Sequence, residues 1–135
     1  MKRIPNNALQ KALISLFKEN LETPVYDFVS DKAKLPYVTL GAFTSRDIGT
    51  KTDDMSHVTL TINIWTSYRG KYEINAIAEK IISILISTHV DIESEDFYVT
   101  MQAVNMYEAF PEDEYGYYCG AITFECEIQN IRSDE

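Results

Sequence analysis

Apolar and polar side chains alternate with a period of two along residues 57–65. Val58, Leu60, Ile62 and Ile64 fall on one side, and Thr59, Thr61, Asn63 and Trp65 on the other. This alternation predicts a half-buried strand rich in β-branched residues. Ser67-Tyr68-Arg69-Gly70-Lys71 breaks the pattern, and from Tyr72 the apolar spacing becomes helical, with Ile74, Ile77, Ala78, Ile81 and Leu85 on one stripe. Strand, turn and helix therefore present two apolar faces that must cover each other. Nearer the start, Leu9, Ala12, Leu13, Leu16 and Phe17 form a second helical stripe. Asn6 or Asn7 is its expected N-cap, and Pro24 marks the stop after Asn20.

The remaining strands read from the same rules. Val25-Tyr26-Asp27-Phe28 is a short candidate, and residues 37–43 make a longer one. A polar stretch over 44–56 then forms a long hairpin tip leading into the central strand. Residues 97–104 begin another strand whose parity does not reveal a buried face. A turn signal over 110–116 leads to a last strand in which Tyr118, Gly120, Ile122, Phe124, Cys126 and Ile128 face one way, and Thr123, Glu125, Glu127 and Gln129 the other. The economical arrangement is an α+β fold. It has a mostly antiparallel sheet of about four main strands, with two helices packed on one face and a polar opposite face.

The length of 135 residues is expected to form a single domain, 1–135, with a sizeable core. No apolar run reaches the roughly 18–20 residues needed to cross a membrane, and no secretory leader is expected. The net charge of −9 is unevenly spread. Through Thr88 there are eleven bases and nine acids, whereas from His89 onward there are twelve acids and one base, Arg132. Such a surface is either a solvated acidic face or one that docks on a basic partner, and it disfavours gripping a nucleic-acid backbone. Cys119 and Cys126 lie seven residues apart, roughly 23 Å along one strand and on opposite faces, so they cannot bond to each other there. Free thiols fit a reducing compartment.

No spacing announces catalysis, a cofactor or a metal. Glu125 and Glu127 share a strand face but no apolar pocket that would raise a carboxyl pKa. His57 lies near Asp53, Asp54 and Ser56 without a nucleophile elbow or an oxyanion turn. Arg69-Gly70-Lys71 reads as turn chemistry, with Arg69 a possible partner contact. Tyr107, Tyr115, Tyr117 and Tyr118 cluster around the acidic turn, either as an interface or as sheet aromatics.

Several weak signals occur in a familiar order. They are the helix over 9–17, Val25-Tyr26-Asp27, Leu35-Pro36-Tyr37-Val38-Thr39-Leu40-Gly41, Asp47, Lys51-Thr52, the strand over 57–65, Ser67-Tyr68-Arg69-Gly70, and the helix with Glu73, Ala76, Ile77, Ala78 and Ile81. On these residues the chain resembles the tail-completion, or head–tail joining, proteins of long-tailed phages and prophages, within the broad group of tail terminators. The resemblance covers most of the chain through Leu85. It implies a structural virion protein assembled in the bacterial cytoplasm, without enzymatic activity or cofactor. It further implies a ring, expected to be a hexamer, that caps the head-proximal end of the tail tube and meets the head–tail connector or stopper.

In that setting Arg46, Asp47, Lys51, Asp53, Asp54 and Arg69 are the candidate contacts with the tube or a neighbouring subunit. Glu112, Asp113, Glu114 and Tyr115 are candidates for the lumen or a partner surface. DNA passing through the lumen would be repelled rather than recognised by sequence. The competing expectations are a small intracellular ligand-binding or enzymatic α+β domain, with His57 against Asp53 or Asp54 in a pocket, or another neck or stopper protein of the virion.

Overall fold

The computed structural model describes residues 1–111 and 117–133. The alternating stretch over 57–65 is the middle of a longer strand, β3 (Met55–Arg69). It is preceded by α1 (Asn6–Asn20), β1 (Val25–Tyr26) and β2 (Tyr37–Asp47). It is followed by α2 (Tyr72–Ser87), a 3-10 turn at Glu93–Glu95, β4 (Phe97–Pro111) and β5 (Tyr117–Asn130). The strands form one sheet in the order β1-β2-β3-β5-β4. All neighbours are antiparallel except β1, which runs parallel to β2 through Val25 opposite Val38 and Tyr26 opposite Thr39. The four main strands expected from the sequence are present, and the two-residue β1 makes a fifth.

Both amphipathic helices lie on one face, as their stripes require. Leu9, Leu13 and Phe17 of α1 and Ile74, Ile81 and Leu85 of α2 are buried against Val58, Leu60, Ile62 and Ile64 of β3 and Ile122, Phe124, Cys126 and Ile128 of β5. Burying such a side chain is worth roughly 1.5–3 kcal/mol relative to leaving it in water, and this layer is the core. Gly70 makes the turn from β3 to α2 at φ +108, a conformation that favours glycine because it has no Cβ.

Three expectations change. Helix α1 has no side-chain cap; Pro5 occupies the N-cap position, and Asn6 instead accepts a hydrogen bond from the Ser45 hydroxyl. The polar tip over 44–56 is shorter than its composition suggests. Strand β2 continues to Asp47 and β3 begins at Met55, because residues on both sides complete the ladder despite being polar. Strand β4 has no readable parity because two bulges interrupt it. Thr100 and Asn105 stand opposite no residue of β5 in the register, and each resets which side chains face the helices. Thus Phe97 and Val99, then Gln102 and Val104, then Tyr107 all point to the covered face.

Candidate functional site

With the helices on one side, the other sheet face has no layer against it among the described residues. The register arranges its side chains in rows across the strands. At the β2–β3 hairpin end the row is Arg46, His57, Glu127 and Met101. Next come Thr44, Thr59, Glu125 and Ala103, and near the middle Thr61 pairs with Thr123. At the opposite end the row is Tyr37, Trp65, Cys119 and Phe110. The face therefore grades from charged, through threonine-rich, to aromatic. The aromatic row buries Cys119 on this uncovered side, and the Trp65 indole N–H donates to Thr39 Oγ1 at 3.0 Å. His57 is turned toward the two glutamates, Nε2 lying 3.5 Å from Glu125 and Nδ1 3.8 Å from Glu127.

The structure does not bring all the sequence-derived contact residues together. Asp47, Lys51, Asp53 and Asp54 line a cavity of about 350 Å³ at the β2–β3 turn, together with Met1, Lys2 and Arg132. Arg46 lies beside it on the open face. Arg69 sits at the far end of β3, opposite Tyr117, on the order of 40 Å away at about 3.3 Å per residue. Glu112, Asp113, Glu114 and Tyr115 lie outside the described residues. His57 is not part of the cavity wall, so the pocket that a ligand-binding reading required, with His57 against Asp53 or Asp54, is not the arrangement found.

Within the turn, two of the acids serve structure. Asp54 accepts from Asn130 Nδ2 at 2.8 Å, from the Lys2 amide at 3.2 Å and from the Met1 ammonium at 3.1 Å. The Asn130 bond, then that ammonium, hold its carboxyl below the usual carboxylate range. Asp47 accepts from Met1 at 2.9 Å and from the Gly49 amide at 2.9 Å, which lower its pKa as well. Lys51 and Asp53, both exposed, are the charges of the turn that have no ion pair among the described residues.

Asn130 is the residue that sequence reasoning missed. Its amide N–H donates to Asp54 O at 2.8 Å, and its Oδ1 accepts from Arg3 Nη1 at 2.9 Å. Arg3 also donates to the carbonyls of Glu95 and Asp96 and stacks over the Phe97 ring. The N-terminal segment is thereby tied to both the β2–β3 turn and the start of β4. No local sequence signal marks a strand-end asparagine as a hub. Of the acids beyond His89, Glu95 pairs with Lys11 at 3.5 Å and Asp96 with Arg132 at 3.3 Å. Asp91, Glu93 and Glu108 have no ion pair among the described residues. In that same set no three His, Cys, Asp or Glu side chains converge as a metal site.

No curated protein matches the sequence. In fold the chain is similar to one from the virion of a native gene transfer agent (GTA) particle, with a TM-score of 0.83 and 18% identity over 92% of this chain and 96% of that one. A family model described as tail completion protein gp17 matches residues 8–126, spanning both helices and nearly the whole sheet. The chain belongs to the tail completion protein gp17 family and is a structural protein of the phage tail.

Proposed function

We propose that the protein is a non-catalytic ring subunit that closes the head-proximal end of the tail tube and joins it to the head–tail connector. The family match over residues 8–126 carries this reading. The sheet supports it, because part of each outer edge has no partner among the described residues, and a closed ring of heterologous contacts would cover those stretches. The structural neighbour from a virion is consistent with the same setting. Particles assembled in the bacterial cytoplasm would carry the ring at the neck.

The tip charges Lys51 and Asp53, with Arg46, Asp47 and Asp54 beside them, would contact the tube or a neighbouring subunit. Arg69 would serve a partner at the opposite end. Asp91 and Glu93, which have no ion pair among the described residues, together with Glu112, Asp113, Glu114 and Tyr115, would supply a lumen or connector surface. Negative walls would keep passing DNA from sticking.

Electron microscopy of tails made without this gene, with purified protein added back to the lysate, tests the role. Overlong or headless tails rescued by the protein are the expected result. Normal tails and normal particles would refute it. Neutralising Glu112, Asp113 and Glu114 together should slow DNA ejection while tails still complete.

A further inference from the structure

The sheet has two outer edges, and each is free over only part of its length. On one side β1 covers Val38 and Thr39 of β2, leaving the stretch from Leu40 to Asp47 with no strand beside it among the described residues. On the other side the start of β4 is occupied. The His89 ring donates to the Val99 carbonyl at 2.7 Å and packs on Tyr98, and Gln102 is held by the end of α2. From Ala103 to Pro111 the outer backbone groups of β4 have no partner among the described residues. A long free edge invites another strand unless charges block it, and β4 carries a single charge, Glu108.

The free stretch of β2 ends in Arg46 and Asp47, of which Asp47 is held by the Met1 ammonium. Arg46 and Glu108 share the open sheet face, and neither side chain has a partner among the described residues. Each free edge thus carries one unsatisfied charge of opposite sign on the same face.

We propose that neighbouring copies join by a continuous sheet, in which the free half of β4 pairs antiparallel with the free end of β2 of the next copy and Glu108 faces Arg46. The proposal rests on the ring reading above and names the surface that would build it. Strands β2 and β4 run in opposite directions within one subunit, so a neighbour in the same orientation presents β2 antiparallel to β4. Arg46 stands in the row of His57, whereas Glu108 stands in the row of Asn63. Placing them opposite each other slides the neighbour six residues along β3, roughly 20 Å. The same slide carries the neighbour's β1 past the end of β4 and moves its β2 off the half of β4 that His89 occupies. The charge match and the two steric obstructions therefore call for one register.

Two sets of full-length variants test it, by mass photometry of the purified chain and by non-reducing gels of both the chain and tails carrying it. R46E or E108R alone should raise the concentration for half-assembly about tenfold or more, and R46E/E108R should restore it. The double variant R46C/E108C should give a ladder of disulfide-linked oligomers under oxidant, and the single cysteine variants should not. The two positions lie on opposite edges of one subunit, about 14 Å apart across three strand spacings before their offset is counted, so the bond has to form between copies. Oligomers that form normally in every variant without a ladder would overturn the edge pairing and leave the ring standing. A chain that is a lone monomer both in solution and on tails would overturn the ring reading itself.

Discussion

The two faces of this sheet are made by the same strands and differ in what is laid against them. In β5, Ile122, Phe124, Cys126 and Ile128 alternate with Ala121, Thr123, Glu125 and Glu127. The first set is closed over by α1 and α2, and the second is left half-buried among its own neighbours. Burial on the covered face comes from another layer, whereas on the open face, among the described residues, it comes from side chains standing next to one another. The covered face is therefore where the fold is stabilised. The open face, with its edges, is where contacts with other chains remain to be made.

The sharpest break between the faces comes from neighbouring residues of one strand. Phe124→Ala removes a fully buried ring and should cost about 3–5 kcal/mol, read as a lower urea midpoint with an unchanged slope. A much smaller loss would mean that the helices do not seal this face.

The next largest effect belongs to Gln102, a polar residue on the covered face. Its Nε2 donates to the carbonyls of Leu85 and Thr88 at 2.9 and 2.7 Å, and its Oε1 accepts from the Val90 amide at 2.9 Å. It thus satisfies groups that the end of α2 leaves without helical partners. Gln102→Ala should cost about 1–3 kcal/mol and raise amide exchange in the last turn of α2. Exchange unchanged there would deny it the capping role.

Asn130 tests the junction of the two faces. Loss of its side chain should cost about 1 kcal/mol at neutral pH and weaken the acid response as well. The folded pKa of Asp54 is lowered, so its contribution is present above the unfolded value of about 3.9 and is lost as pH falls through the folded value. Asn130→Ala removes the largest cause of that lowering, so the melting temperature should fall less steeply below about pH 4 than in the natural chain. An unaltered acid slope would show that the Met1 ammonium and the Lys2 amide suffice.

The smallest effect is expected on the open face. Thr61 and Thr123 stand directly opposite each other across β3 and β5, and Thr123→Ala should stay within about 1 kcal/mol in the isolated subunit. A cost as large as that of Phe124→Ala would mean that this face is covered after all. Thiol reactivity offers a parallel check. Cys126 is buried from the helix side and its thiol is pushed up to about 12, while Cys119 is buried by its neighbours on the open side. Both should resist modification at pH 8 until the chain unfolds, with Cys119 the first to react if the aromatic row opens.

The faces of β3 and β5, the stripes of both helices and the glycine turn between β3 and α2 were legible because each depends on a local period or a local backbone need. Strand β4 was not. Its bulges at Thr100 and Asn105 arise from fitting one strand to another, and each shifts the alternation by one residue. The candidate contacts were legible as residue types but not as a place. Composition showed charges over 44–56, yet only the folded turn distinguishes Asp47 and Asp54, taken up by the N-terminal segment, from Arg46, Lys51 and Asp53.

By itself the sequence determined the order of the helices and main strands, the apolar faces of both helices, β3 and β5, and a resemblance that the family match bears out. The tertiary structure alone decided that Arg69 stands far from the β2–β3 tip, that Gln102 closes α2, and that Asn130 joins three distant segments. The reason is physical. Alternation and helical spacing act within a few residues, whereas hydrogen bonds such as those of Asn130 to Asp54 and Arg3 join groups far apart in the chain that meet only when the sheet has formed.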